Sequence, residues 1–426
     1  MKRLEVDIEI MGRRKEVGSI SGDSEFTASF AYSPDYVRSG ESMPISASLP
    51  LREEAFSPEQ TRNFFEGLLP EGFIRRTIAK NNRVDADDYL SLLSMLGSEC
   101  LGAITIKDDD FVPTEPGYKK LDPNFMYELA AEGATKSANL VVESRLSLTG
   151  ASGKIGAYRS EEGDWYLPVG SAPSTHILKQ SHIRYDSIVQ NEQLALVTAE
   201  ALGIEVPGTL IVDNKREGHK DEILLATERY DRTLVGSVRK IDGLNCPLRL
   251  HQEDFAQALG ISAANKYESA GEHQMREMFR MLREKSASPI EDQIKLWDII
   301  VFHYLIGNTD GHIKNFSILY DGKIKSARLA PAYDIVSTIV YENHSSDMAF
   351  AIGGVGKWDE LDRNAFEKAC VECRLNSRFF MKRFDDMASR FDAALKASAE
   401  KLSKTGYPEA RDIAERILKR HKIKGK

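Results

Sequence analysis

Leu4, Val6, Ile8 and Ile10 alternate with Glu5, Asp7, Glu9 and Met11, a period of two that predicts a half-buried strand. Gly12 turns the chain, and Phe26, Ala28 and Phe30 repeat the alternation. From residue 57 to 96 the spacing becomes helical. Ser57-Pro58-Glu59 has the form of an N-cap followed by proline at the first helical position, ahead of Phe64, Phe65, Leu68 and Leu69. Leu90, Leu93 and Leu96 make a second apolar face that stops at Gly97. This first region reads as a small α+β unit, closed by the acidic run at Lys107–Asp110 and a Pro/Gly-bearing stretch through Lys120.

Strand patterns return in the middle of the chain, at Arg145–Thr149, Lys154–Arg159, Asp164–Leu167 and Thr175–Lys179. A helical pattern covers Glu192–Leu202 and ends at Gly203, and strand-like runs follow at Thr209–Val212 and Glu222–Thr227. The remainder is mostly helical. Residues 291–306 carry an apolar stripe that stops at Gly307, and periodic apolar/charged stretches dominate from Trp358 to Ile423. The layout predicts an α+β protein with three parts, 1–108, 121–245 and 246–426. A length of 426 residues suits several domains better than one core.

Composition narrows the classes. No apolar run approaches the roughly 18 residues of a membrane span, and the first residues lack the apolar block of a secretion signal, so a cytoplasmic protein is expected. Cys100 and Cys246 stand alone, and Cys370 with Cys373 makes one C-x-x-C without a second ligand pair. Buried, reduced thiols are expected rather than a zinc site. A net charge of −8 argues against broad nucleic-acid binding by the whole chain, though it leaves room for a DNA-binding partner that supplies the positive charge.

The chemistry concentrates in Leu305-Ile-Gly-Asn-Thr-Asp310-Gly-His-Ile-Lys-Asn315-Phe-Ser, a dense polar loop after an apolar helix. Asp310 and Asn315 have the separation of the catalytic-loop Asp and Asn of protein kinases. One carboxylate orients the hydroxyl to be phosphorylated, and an amide oxygen further along holds magnesium. Asp334 follows an expected strand pair, Phe316–Tyr320 and Ile324–Leu329, where a hard carboxylate would hold Mg²⁺ against the β- and γ-phosphates of ATP. The plainer reading of Asp310 is a turn aspartate. A metal site of His303 and His312 with Asp310 and Asp334 is a further reading, but its spacing is unusual for ligands.

Upstream, Ser147-Leu-Thr149-Gly150-Ala151-Ser152-Gly153-Lys154 has the small residues of a phosphate loop. It fails the Walker pattern at Leu148 and Ile155 and does not open a helix. Between two strands it suits the kinase arrangement, in which backbone N–H groups approach phosphate oxygens, or else a glycine-containing hairpin turn. Thr175–Lys179 reads as a strand ending in lysine. Glu192 is its ion-pair candidate, and a surface lysine is the plain alternative. Glu228-Arg229-Tyr230-Asp231-Arg232 is either a hinge presenting Glu228 and Tyr230 to adenine or an edge strand with exposed ion pairs. Phosphate loop, strand lysine, helix glutamate, hinge, Asp/Asn loop and metal aspartate come in kinase order on one chain.

These segments, with Asn63-Phe-Phe-Glu-Gly-Leu-Leu-Pro-Glu71, resemble the HipA family, the kinase toxins of bacterial HipA–HipB toxin–antitoxin modules. The resemblance runs over most of the chain. It implies a bilobed protein-kinase-like fold with an added N-terminal α+β subdomain and a mostly helical C-lobe. It implies Asp310 as catalytic aspartate, Asn315 and Asp334 as Mg²⁺ ligands, and Lys179 as the lysine on the ATP phosphates. Ser147 matches the family's autophosphorylated serine, with Thr149 a second acceptor as in relatives of the HipT type. Phosphate there would add about −1.5 to −2 charge beside the ATP phosphates and so inactivate the enzyme. The family also implies a small helix-turn-helix HipB-like antitoxin that carries the DNA contact, and an aminoacyl-tRNA synthetase as protein substrate. The chain departs from the family at Ala151-Ser152-Gly153, where a glutamine and a glutamate often precede the lysine. Two alternatives stand beside the protein kinase: a non-catalytic ATP-binding subunit that joins a repressor on operator DNA, and a small-molecule kinase.

Overall fold

The computed structural model describes residues 2–40, 42–108, 114–132, 153–180, 185–213, 222–342 and 345–420. They divide into two compact units. One takes residues 1–183, 212–264 and 318–326; the other takes 184–211, 265–317 and 327–426.

Two larger sheets organise the first unit, beside the two-stranded pairings of Arg232–Thr233 with Leu248–Arg249 and of Lys240–Ile241 with Leu244–Asn245. Strands β1 (Lys2–Ile10), β2 (Arg13–Gly22), β3 (Ser29–Tyr32) and β4 (Ile104–Asp108) hydrogen-bond in the order β3-β2-β1-β4. The period of two in β1 sends Leu4, Val6 and Ile8 into the core, where each is fully buried. In β3 the alternation starts later than the sequence suggests: Phe26 is 71% exposed and the strand begins at Ser29. Helix α1 (Pro58–Phe65) has the expected cap with a complete capping box, since Ser57 Oγ accepts from Gln60 N while Gln60 Oε1 accepts from Ser57 N. It docks on β3 through Phe65, whose ring centroid lies 5.2 Å from that of Phe30. Helices α2 (Gly72–Asn82) and α3 (Tyr89–Leu96) complete this layer.

The second sheet has six strands, of which β5 (Gly117–Lys120), β6 (Lys154–Arg159), β7 (Trp165–Val169), β8 (His176–Gln180) and β9 (Ile223–Glu228) lie in this unit and run in the order β5-β7-β6-β8-β9. Helix α4 (Pro123–Glu132) packs on β9. The β6–β8 register sets Lys154 opposite Lys179, and the β8–β9 register sets Lys179 opposite Leu225.

The second unit is mostly helical: α5 (Ile188–Ala201), α6 (Gln274–Lys285), α7 (Pro289–Ile306), α8 (Arg363–Glu372), α9 (Ser377–Lys404) and α10 (Glu409–Arg420), with a hairpin of β10 (Asp347–Ile352) and β11 (Val355–Lys357). Helix α7 is its axis. Trp297 is fully buried, edge-on to Phe366 of α8 at 5.8 Å and to Phe380 of α9 at 5.5 Å between ring centroids. Cys370 and Cys373 are buried and free, their thiols pushed up to about 12 chiefly by burial. Among the described residues no helix is long and apolar enough to cross a membrane.

Candidate active-site loop and lysine-bearing strands

The loop that carries Asp310 is fixed by its backbone. Helix α7 ends at Gly307 in the left-handed conformation (φ +73°), and a Cβ there would overlap the Ile339 side chain, so only glycine lets the chain turn this tightly. Thr338 then clamps the turn: its N–H donates to Gly307 O at 2.9 Å, and its Oγ1 accepts from Thr309 N at 2.9 Å. Ala349 N of β10 donates to Thr309 O at 3.0 Å. Asp310 N is satisfied by Asn308 Oδ1, and Asp310 O accepts from His312 N at 2.8 Å. From Phe302 to Ser317 Asp310 is the one exposed residue, and Asn315 is half-buried. Asp310 and Asn315 alone in this stretch are not buried.

Asn315 closes a 3₁₀ turn (Ile313–Asn315) and donates from Nδ2 to Asp310 O at 3.1 Å. A carbonyl can only accept, so this contact assigns the amide nitrogen to Asp310 O, and Oδ1 is the oxygen a hard cation prefers. The residue before Asp334, Tyr333, bonds the end of the same loop. Tyr333 Oη donates to Lys314 O at 3.0 Å and lies 2.6 Å from Ser317 Oγ, bracketing Asn315 and Phe316. Asp334 itself is half-buried in a left-handed conformation (φ +57°), a strained state for a residue with a Cβ and one that clusters at functional sites. His303 lies beneath. Burial pushes its imidazole down to about 3, with Asp334 opposing and His312 reinforcing the shift, so it is neutral at physiological pH. Gly311 is the point of closest approach: a Cβ there would overlap His303 Nδ1. Among the described residues no group of three or more His, Cys, Asp and Glu side chains is arranged to hold a metal ion. An amide oxygen and one carboxylate fit magnesium shared with phosphate oxygens better than an all-protein cage.

The first unit carries the other candidates apart from Glu192. Lys154 and Lys179 are half-buried and directly cross-strand, so their side chains leave the same face of the sheet. Strand β8 runs one residue past Lys179, and Gln180 N donates to Gly153 O at 3.2 Å. Two lysines side by side on one face suit an anionic ligand such as a polyphosphate. Ser147, Thr149, Gly150, Ala151 and Ser152 lie outside the described residues. Glu192 is in the second unit, buried one turn into α5, which begins at Ile188 rather than at the glutamate.

After β9, Glu228 is exposed and Tyr230 half-buried, its hydroxyl bonded to Gln252 Oε1. The intervening charges are not the exposed ion pairs of an edge strand. Arg229 and Arg232 are buried, as is Asp231, and both arginines bond Glu99 Oε1, at 3.1 and 2.8 Å. Arg249 bonds the same carboxylate. Burial alone would raise Glu99, yet Arg232, Arg249 and Arg229 hold it below its ordinary value. Sequence spacing gave no hint of this network, because Glu99 and Arg249 are remote from the Glu228–Arg232 run.

The fold matches that of a chain in the "Shewanella oneidensis MR-1 Toxin Antitoxin System HipA, HipB and its operator DNA complex" with a TM-score of 0.78, over 98% of this chain and 96% of that one, at 21% identity. The protein therefore has the kinase-like α+β fold of HipA. Family matches agree at the level of sequence, the HipA N-terminal domain over residues 8–107 and the HipA-like C-terminal domain over residues 146–395. The chain belongs to the HipA family. It is 34% identical to "Putative kinase Y4mE" of Sinorhizobium fredii (91% of this chain and 90% of that protein). It is 27% identical to "Serine/threonine-protein kinase toxin HipA" of Shewanella oneidensis (82% and 78%).

Proposed function

We propose that this chain is a Mg-ATP-dependent serine/threonine protein kinase of the HipA toxin type. The observation that carries the reading is the Asp310 loop: a buried, hydrogen-bonded backbone that exposes the Asp310 carboxylate, with the Asn315 amide bonded to Asp310 O. Asp310 accepts a hydrogen bond from the acceptor hydroxyl and takes its proton as the hydroxyl oxygen bonds the γ-phosphorus of ATP and the bond from that phosphorus to the β-phosphate oxygen breaks, releasing ADP. Asn315 and Asp334 would hold magnesium, whose charge would offset that of the transferring phosphoryl group. Lys179, with Lys154 beside it, neutralises the ATP phosphates, and Glu192 orients Lys179. Gly150 to Gly153 supply backbone N–H groups to the phosphates, and Glu228 and Tyr230 meet the base.

The kinase phosphorylates its own loop at Ser147 or Thr149 and thereby switches itself off. Its protein substrate belongs to translation, an aminoacyl-tRNA synthetase being the family's precedent. A HipB-like helix-turn-helix antitoxin provides the DNA contact that a chain of net charge −8 lacks. The test is mass spectrometry of the chain after incubation with Mg-ATP. Phosphate on Ser147 or Thr149, absent in the double variant S147A/T149A, is the expected result. Tight Mg-ATP binding with no phosphate on any residue or added synthetase would instead select the non-catalytic ATP-binding subunit.

A further inference from the structure

Asp310 has a neighbour that no spacing rule suggests. Tyr267, 43 residues upstream, directs its hydroxyl at the exposed carboxylate, with Oη 2.7 Å from Asp310 Oδ1. A carboxylate oxygen accepts, so the tyrosine is the donor. The ring lies edge-on to His312, two residues past Asp310, at 5.5 Å between centroids. Among the described residues Oδ2 of Asp310 has no hydrogen-bond partner.

The contact is built into the backbone. Ala349 of β10 holds both sides of it: its N–H donates to Thr309 O at 3.0 Å, and its carbonyl accepts from Glu268 N at 2.9 Å. The residue before Asp310 and the residue after Tyr267 are thus registered on one alanine. The Glu268 side chain secures the segment further, with Oε1 accepting from Gln274 N and Oε2 from Ala351 N, both at 2.7 Å. Tyr267 is 48% exposed, so apolar burial does not explain why its hydroxyl points at the loop.

We infer that Tyr267 is a positioning residue for phosphoryl transfer. Its hydroxyl ties down Oδ1 of Asp310, fixes the side-chain torsion of an otherwise open aspartate, and leaves Oδ2 to receive the acceptor hydroxyl. This rests on the assignment of Asp310 as the catalytic aspartate. A charge-assisted hydrogen bond fixes the carboxylate plane at little entropic cost, because its donor is anchored. Tyr267 acts through Asp310 and remains a tyrosine throughout.

The test compares Y267F and Y267A with the full-length wild type, measuring self-labelling by radiolabelled ATP across nucleotide concentration. Y267F removes only the hydroxyl. The maximal rate should fall about tenfold to a hundredfold, the range a lost hydrogen bond to a charged group gives. The ATP concentration for half-maximal rate and the thermal midpoint should not move. Y267A should lose little more than Y267F. Three results would overturn the inference: Y267F labelling at the wild-type rate, a loss confined to Y267A, which would mean ring packing alone, or phosphate on Tyr267 in the wild type, which would make the hydroxyl a substrate. The underlying assignment fails separately, and visibly, if wild type and D310N label alike.

Discussion

A catalytic aspartate needs an exposed carboxylate on a backbone that does not move, and around Asp310 those demands are met by particular atoms. Thr338 clamps Gly307 and Thr309, Asn315 binds Asp310 O, and Gly311 lets the chain pass against His303. Replacing Gly311 with alanine should therefore push the loop off His303. We expect a loss of about 1–3 kcal/mol in stability, as for overpacking at a tight site, and a fall in phosphoryl transfer larger than the fraction unfolded explains. Urea denaturation alongside a labelling assay separates the two. At this scale the sequence singled out Asp310, Asn315 and Asp334 as candidates by their order along the chain. It was silent on Tyr267, Thr338 and Ala349, whose roles arise only when distant segments fold together.

Single elements were legible wherever local chemistry decides them. The capping box of α1 is complete because Ser57 and Gln60 satisfy each other's orphaned groups without help from the rest of the protein. S57A should lower unfolding free energy by about 1 kcal/mol, measured by chemical denaturation, with no effect on nucleotide binding. Helix α7 was expected at 291–306 and runs Pro289–Ile306, and strand Lys154–Arg159 has the expected ends. The segment Ile324–Leu329 was harder. Ile324 takes a left-handed conformation (φ +58°) in a turn closed by Asp321 N bonding Ser326 O, and the strand begins only at Ala327. A β-branched residue in that conformation contradicts its own propensity, and its burial at 2% exposure explains why it is tolerated. Of the two readings open for Glu228–Arg232, the exposed ion pairs fall for a similar reason: only tertiary contact of Arg229 and Arg232 with Glu99, which Arg249 also bonds, reveals that these charges are buried.

Across the whole molecule, buried ionisable groups set the pH range of stability. Burial raises Glu253 from 4.5 to about 7, against hydrogen bonds from Ser46 Oγ, Tyr320 Oη and Ala47 N. The folded state therefore binds this proton more tightly than the unfolded chain. Its contribution is full below about pH 4.5 and is lost as pH rises through about 7. His176 and His251, held down to about 4, and His303, held to about 3, act in the opposite sense. Their contribution is present above 6.5 and lost as pH falls toward those values. E253Q should flatten the decline in thermal midpoint between pH 5 and pH 8 while leaving the acid side unchanged. An unaltered decline would mean that Glu253 is ionised in the folded protein. The HipA-like kinase fold was the best-read feature at this scale, because its ordered motifs span most of the chain. Whether Asp310 performs the transfer is decided by pairing calorimetric binding of Mg-ATP with labelled phosphate transfer in wild type and D310N. Equal nucleotide affinity with transfer only by the wild type is the expected result; equal transfer by both would rule out the proposed role of Asp310.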